Sequence, residues 1–183
     1  MYKIYHLMML LMIFTIQTFA QEPKDNETSA INNGVNYVKV SERIDTSGQP
    51  PKALLEKFAN KNYDLVINLA PPLAQGSILE EGGLIAQSGT KYVNIPVDWQ
   101  NPTEQDFDFF SDVLNTKGNN KVLVHCQINM RGSLFTFLYR VVHEKIDPDL
   151  AYEKLSLVWA PTDHWQEYAQ NILDKHKINY TLF

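Results

Sequence analysis

"KVLVHCQINMRGSLFTFLYRVV", residues 121–142, decides how this chain folds. Lys121 to His125 is a short apolar run, the length of a buried strand, and an apolar helix follows from about Gly132 to His143. Between them lies a polar loop with His125 and Cys126 at the strand end and Arg131 five positions after the cysteine. A tight loop that opens a helix turns backbone N–H groups inward and adds partial positive charge, which makes an anion cradle. Arg131 can close such a cradle with a planar, two-pronged donor for phosphate oxygens. Cys126 is the only cysteine in 183 residues, so it has no internal disulfide partner. It is either a small buried hydrophobe or a nucleophile whose thiolate the loop stabilises. His, Cys and Arg together at one strand–loop–helix junction favour the nucleophile.

Outward from this stretch, apolar strands alternate with helical patterns. "VNYVKVSERI" reads as one strand over 35–44, and "SGQPP" (47–51) as a turn before a helix over 52–61. "YDLVINLA" (63–70) is a strand covered on both faces and stopped by Pro71 and Pro72. "SILEEGGLIAQSG" (77–89) is a poor helix, "KYVNIPV" (91–97) a strand, and "TEQDFDFFSDVLNT" (103–116) a helix with Thr103 and Asp106 spaced as a capping pair. Two more helices are expected over 147–159 and 163–177. The pattern predicts a three-layer α/β domain with a mostly parallel central sheet flanked by helices. Ligands in such sheets sit at the carboxyl ends of the strands. His125, Cys126 and Asp98, which follows "VNIPV", fall on that rim.

The first 20 residues, "MYKIYHLMMLLMIFTIQTFA", have the layout of a secretory signal peptide. Residues 21–34 read as a polar, flexible lead-in, and 35–183 as a single domain. A periplasmic or secreted protein is expected, with no stable membrane association once the leader is removed. The formal charge of −5 argues against a nucleic-acid partner. His143, His164 and His176 are too scattered to suggest a metal site, and no cofactor is expected. The aromatics Trp159, Trp165 and Tyr168 with His164 read as packing or as a pocket wall.

"VHCQINMRGS" resembles the signature loop of the cysteine-dependent protein tyrosine and dual-specificity phosphatases. Together with "SGQPP…NYDLVINLAPP…GTKYVNIPVDWQNPTEQDFDFFSDVL" it is similar to a bacterial phosphatase-like family associated with β-lactamase-like hydrolases. The resemblance implies a phosphorylated substrate, such as a phosphotyrosine or phosphoserine side chain, and a cysteinyl-phosphate intermediate that water hydrolyses. It implies Cys126 as nucleophile, His125 as the residue that orders the loop, Arg131 as phosphate clamp and Ser133 as the hydroxyl aiding thiolate release. It implies Asp98 as general acid, a role chemistry requires because an alkoxide leaves poorly without a proton. Asp106 and Asp108 are the runners-up. Gln127, Ile128, Asn129, Met130 and Gly132 then line the phosphate site, and Trp99 covers it.

The chain departs from the phosphatase signature in the length of the loop, which also lacks the usual internal glycine. Four residues, Gln127 to Met130, separate Cys126 from Arg131, where the signature has five. With Ser133 in register, Gly132 takes the arginine's place and Arg131 lies one step early, rotated by about 100° on a helix. A four-residue spacer also matches rhodanese-type sulfurtransferases, which makes sulfur transfer the rival reaction. A phosphate-binding but inactive pseudophosphatase is the non-enzymatic alternative.

Overall fold

The computed structural model describes residues 33–116 and 121–182. The leader over 1–20 lies outside the described residues. The last two residues of the expected lead-in, Asn33 and Gly34, are placed, and Lys61 Nζ donates to Asn33 Oδ1 at 3.1 Å.

Among the described residues five strands form one sheet: β1 (Val38–Lys39), β2 (Ile44–Ser47), β3 (Leu65–Asn68), β4 (Lys91–Asn94) and β5 (Val122–His125). Their spatial order is β1-β2-β5-β3-β4. Only the β1–β2 pair is antiparallel. The others are parallel, with His125 of β5 in register with Ser47 of β2 on one side and Asn68 of β3 on the other. The helices are α1 (Lys52–Leu55), α2 (Glu81–Gln87), α3 (Glu104–Asn115), α4 (Met130–Val142), α5 (Pro148–Ser156) and α6 (Asp163–Lys175), with a 3-10 turn at Phe58–Lys61.

Strand alternation sorts the core into two layers. Leu65, Ile67, Val122 and Val124 face the larger cluster, where Phe107, Phe110, Phe135, Phe137 and Trp165 pack from α3, α4 and α6. Val66 and Leu123 face the opposite way, onto Leu55, Phe58 and Ile85. Each fully buried large side chain contributes roughly 1.5–3 kcal/mol. The three-layer α/β architecture is therefore the one the sequence pattern predicts.

Three local expectations need correction. The single strand over 35–44 is two strands, because Ser41 Oγ accepts from the N–H groups of Arg43 (3.2 Å) and Ile44 (3.0 Å) and turns the chain. The helix over 52–61 is only a short α1 followed by the 3-10 turn, which ends at Asn62 in a left-handed conformation (φ 55°). The helix expected from Gly132 begins two residues earlier, at Met130. The capping pair of α3 is present: Thr103 N–H donates to Asp106 Oδ2 at 2.8 Å, and Asp106 N–H to Thr103 Oγ1 at 3.2 Å. That bond uses Asp106 as a cap.

Candidate active site

The loop from Cys126 to Met130 leaves the middle strand of the sheet and is gripped from both sides. Cys126 N–H donates to Ser47 O (3.3 Å), and Gln49 N–H donates to Gln127 O (3.0 Å). Asn36 Nδ2 donates to Ile128 O at 2.9 Å. In a trans peptide the carbonyl and the following N–H point opposite ways. The outward Gln127 carbonyl thus turns the Ile128 N–H to the inner side of the loop. The first N–H groups of the 13-residue α4 lack intrahelical acceptors and point back toward the loop.

Asn129 makes the tight turn. It is left-handed, with φ 71°, a conformation asparagine tolerates better than most residues. Its buried Nδ2 donates to Asn36 O (2.6 Å) and Thr46 Oγ1 (2.9 Å), so its side chain anchors the loop from below. Gly132 sits against it. A Cβ at Gly132 would lie 2.7 Å from Asn129 Oδ1, so glycine permits the close approach. With the helix starting early, Arg131 takes the second helical position and is buried, only 4% exposed.

Arg131 has little to neutralise it. Its guanidinium lies 5.2 Å over the Trp99 ring, and Nη1 reaches Gln127 Oε1 at 3.5 Å. Nε has no partner, and no carboxylate pairs with Arg131 among the described residues. A buried cation without a counter-ion is costly, which makes this position ready for an anion.

The Trp99 contact joins the Asp98 loop to the cysteine loop. Trp99 packs on Trp165 (4.9 Å between centroids) and Trp159 (5.9 Å), and its carbonyl is 2.8 Å from His164 Nε2. Trp159 Nε1 donates to Met130 O at 3.1 Å. The aromatic group near the C-terminus is thus both core and wall. Asp98 is exposed, and its Oδ1 accepts from Gln100 N–H (2.6 Å) and Asn101 N–H (3.2 Å). No contact joins its carboxylate to Cys126 or Arg131. Asp108, the other candidate, is on α3, 3.5 Å from Lys175 Nζ. Ser133 Oγ donates to Met130 O at 3.1 Å and lines a crevice with Val40, Thr136 and Arg140. Cys126 itself is buried. The structure therefore brings Gln127, Arg131 and Trp99 together on the loop that Cys126 opens, sets Asn129 and Gly132 beneath it, and leaves Ile128 at the exposed edge.

One residue of the site had no signal in the sequence. Glu81 of α2 is buried, and its Oε1 lies 3.2 Å from His125 Nε2. His125 Nδ1 in turn lies 3.4 Å from the Cys126 carbonyl. In sequence Glu81 is one of two adjacent glutamates in a glycine-containing segment, and Glu80 is exposed.

Comparison with known proteins places this architecture. A DUF442 phosphatase-like protein of Shewanella putrefaciens CN-32 superposes with a TM-score of 0.69 at 31% identity, over 78% of this chain and 93% of that one. The chain belongs to the DUF442 family. This chain is also 30% identical over 119 residues to the beta-lactamase hydrolase-like protein of Xylella fastidiosa, strain Temecula1. That match covers 63% of this chain and spans about a quarter (27%) of the length of the curated relative. At 12% identity, the core catalytic domain of the S. cerevisiae PP-IP phosphatase SIW14 shares the fold, with a TM-score of 0.60 over 81% of this chain and 96% of that one. No family model matches. The chain is thus phosphatase-like, with the α/β fold of that DUF442 relative.

Proposed function

We propose that this DUF442 domain is a cysteine-dependent hydrolase of phosphate monoesters. The observation that carries the reading is Arg131, buried without a carboxylate partner, on the first turn of α4 just after the Cys126 loop. A phosphoryl group supplies the missing negative charge, and backbone N–H groups complete its coordination. In the first step Cys126 Sγ forms a bond to phosphorus as the ester P–O bond breaks, and Asp98 gives its proton to the departing oxygen. In the second, water attacks phosphorus, the S–P bond breaks and Asp98 takes the proton. Inorganic phosphate and the Cys126 thiolate remain. Arg131 and the loop hold the charge spread over the equatorial oxygens in both steps. Asp98 Oδ2 is available for the proton, because only Oδ1 is engaged in its own turn.

The test is turnover of an aryl phosphate by the full chain in the presence of a chelator, against Cys126→Ser. Wild-type turnover that the serine variant loses is the expected result. Equal, background-level rates from the two proteins refute the catalytic reading. Phosphate binding measured by calorimetry in that case defines a pseudophosphatase. Turnover of thiosulfate and cyanide instead of the ester defines a sulfurtransferase. Arg131→Met should keep or raise thermal stability, because an unpaired buried charge is removed, and should abolish the stabilisation that phosphate gives the wild type.

A further inference from the structure

Glu81 is a buried charged group that no catalytic step above uses. Three neutral donors converge on it. Gln49 Nε2 donates to Oε1 at 2.9 Å, Asn68 Nδ2 to Oε2 at 3.0 Å, and Tyr92 OH to Oε2 at 3.3 Å. All three give a hydrogen and none needs one, so the carboxylate is the form that fits. Burial pushes the Glu81 carboxyl up, but His125, Gln49 and Tyr92 together outweigh it and leave it below its ordinary value. Burial and the charge of Glu81 push the Tyr92 phenol up.

His125 is fully buried between two acceptors. Nε2 is 3.2 Å from Glu81 Oε1, off the line of a directed hydrogen bond, so the contact is one of charge. Nδ1 is 3.4 Å from the Cys126 carbonyl, which only accepts. A neutral imidazole carries one N–H and one lone pair, and a lone pair this near the Glu81 carboxylate or the Cys126 carbonyl, even off axis, is repelled by it. A ring with two N–H groups suits both. Besides Glu81 from α2 and His125 itself, the titratable group in contact with this pair is Tyr92 from β4, behind Glu81. Strand β2 contributes the Ser47 carbonyl to Cys126 N–H, and Leu69, just past β3, gives its N–H to the His125 carbonyl.

We propose that Glu81 is a positioning residue that holds His125 doubly protonated against the Cys126 peptide, fixing the loop and setting a positive charge beside the thiol. The proposal rests on the reading of Cys126 as the nucleophile. Its logic is relayed charge. Glu81 keeps the ring cationic, the ring favours the thiolate, and the thiolate attacks. Glu81 faces the imidazole and not the thiol, so its charge reaches Cys126 through His125.

The test uses the single cysteine. Alkylation of the full chain by iodoacetamide reports Cys126 alone, because the sequence contains no other cysteine. The rate is followed against pH for the wild type, Glu81→Gln, His125→Asn and the double variant. Glu81→Gln should move the rising limb to higher pH by about one unit, which is roughly tenfold slower alkylation on that limb. The double variant should move it no further than His125→Asn alone, since the two act through one contact. An unmoved limb, a limb moved to lower pH, or additive shifts overturn the proposal. Circular dichroism checks that each variant is folded. If Glu81→Gln does not fold, Glu81→Asp keeps the charge but shortens its reach. It should shift the limb the same way by less, and no shift overturns the proposal equally. No phosphate ester enters the measurement, so its outcome is separable from that of the phosphatase assay.

Discussion

Gly132→Ala sets two opposed effects against each other. Gly132 lies in the first turn of α4, where replacing glycine by alanine ordinarily stabilises a helix by about 0.5–1 kcal/mol. Here the added methyl would sit 2.7 Å from Asn129 Oδ1 and 3.4 Å from Val124 O. Asn129 cannot swing aside cheaply, because its side chain is buried and bound to Asn36 O and Thr46 Oγ1. Overpacking of this kind costs about 1–3 kcal/mol, so the clash wins by roughly 1–2 kcal/mol. For a domain of this size that lowers Tm by about 3–6 °C. Gly83→Ala is the matched control. Gly83 is helical too, in α2, but a Cβ there meets nothing within 4 Å. It should gain the propensity term and raise Tm by about 2–3 °C. Thermal unfolding by circular dichroism measures both. A Gly132→Ala protein as stable as wild type, or more so, refutes the claim that glycine is required for the close approach beneath the cysteine loop.

Asp98→Asn should slow esters with poor leaving groups by 100-fold or more and spare activated aryl phosphates, as a plot of turnover against leaving-group acidity will show. An unchanged slope removes Asp98 from the reaction. His164→Ala should release the Trp99 carbonyl and lower kcat/KM by about tenfold with a small change in Tm, read by steady-state kinetics. At high pH the Asp45 cluster is the weak point. Burial and Asp45 push the Tyr37 phenol up to about 12, and burial with Asp45 also raises Tyr63. Both shifts favour the protonated fold. Stability is therefore intact below the ordinary phenol value of 10.0 and falls as pH rises from there toward 12. Urea midpoints between pH 8 and 11 should show this decline, and Asp45→Asn should flatten it.

The strands that carry the fold were visible because their burial is apolar. β3 and β5 are runs of valine, leucine and isoleucine ending in a polar residue at the rim, Asn68 and His125. β2 was not visible as a separate strand. It lies beside β5 in the sheet with every residue buried, yet three of its four residues are Asp45, Thr46 and Ser47. Those polar groups are partnered by the tertiary structure, Asp45 with Tyr63 and Thr46 with Asn129, and local pattern cannot report such partners. The cysteine loop was legible because its chemistry is contiguous in the chain. Its support was not, since Asn36, Thr46, Gln49 and Glu81 reach it from other elements. The length of the loop illustrates the same limit. Counting residues put Arg131 one step out of place, whereas the early start of α4 turns that step into a buried guanidinium stacked on Trp99.

The solitary state of Cys126 also sets how the site meets oxidants. The nucleophile proposed for Cys126 would attack peroxide as well as phosphorus, and the first product would be a sulfenic acid. Many such thiols are rescued when a neighbouring cysteine condenses with the sulfenic acid to give a disulfide. This chain has no second thiol to do so. Recovery therefore requires a small-molecule or protein thiol from outside. Until one arrives, only the closeness of the loop around Cys126 stands between a reversible sulfenic acid and irreversible sulfinic acid.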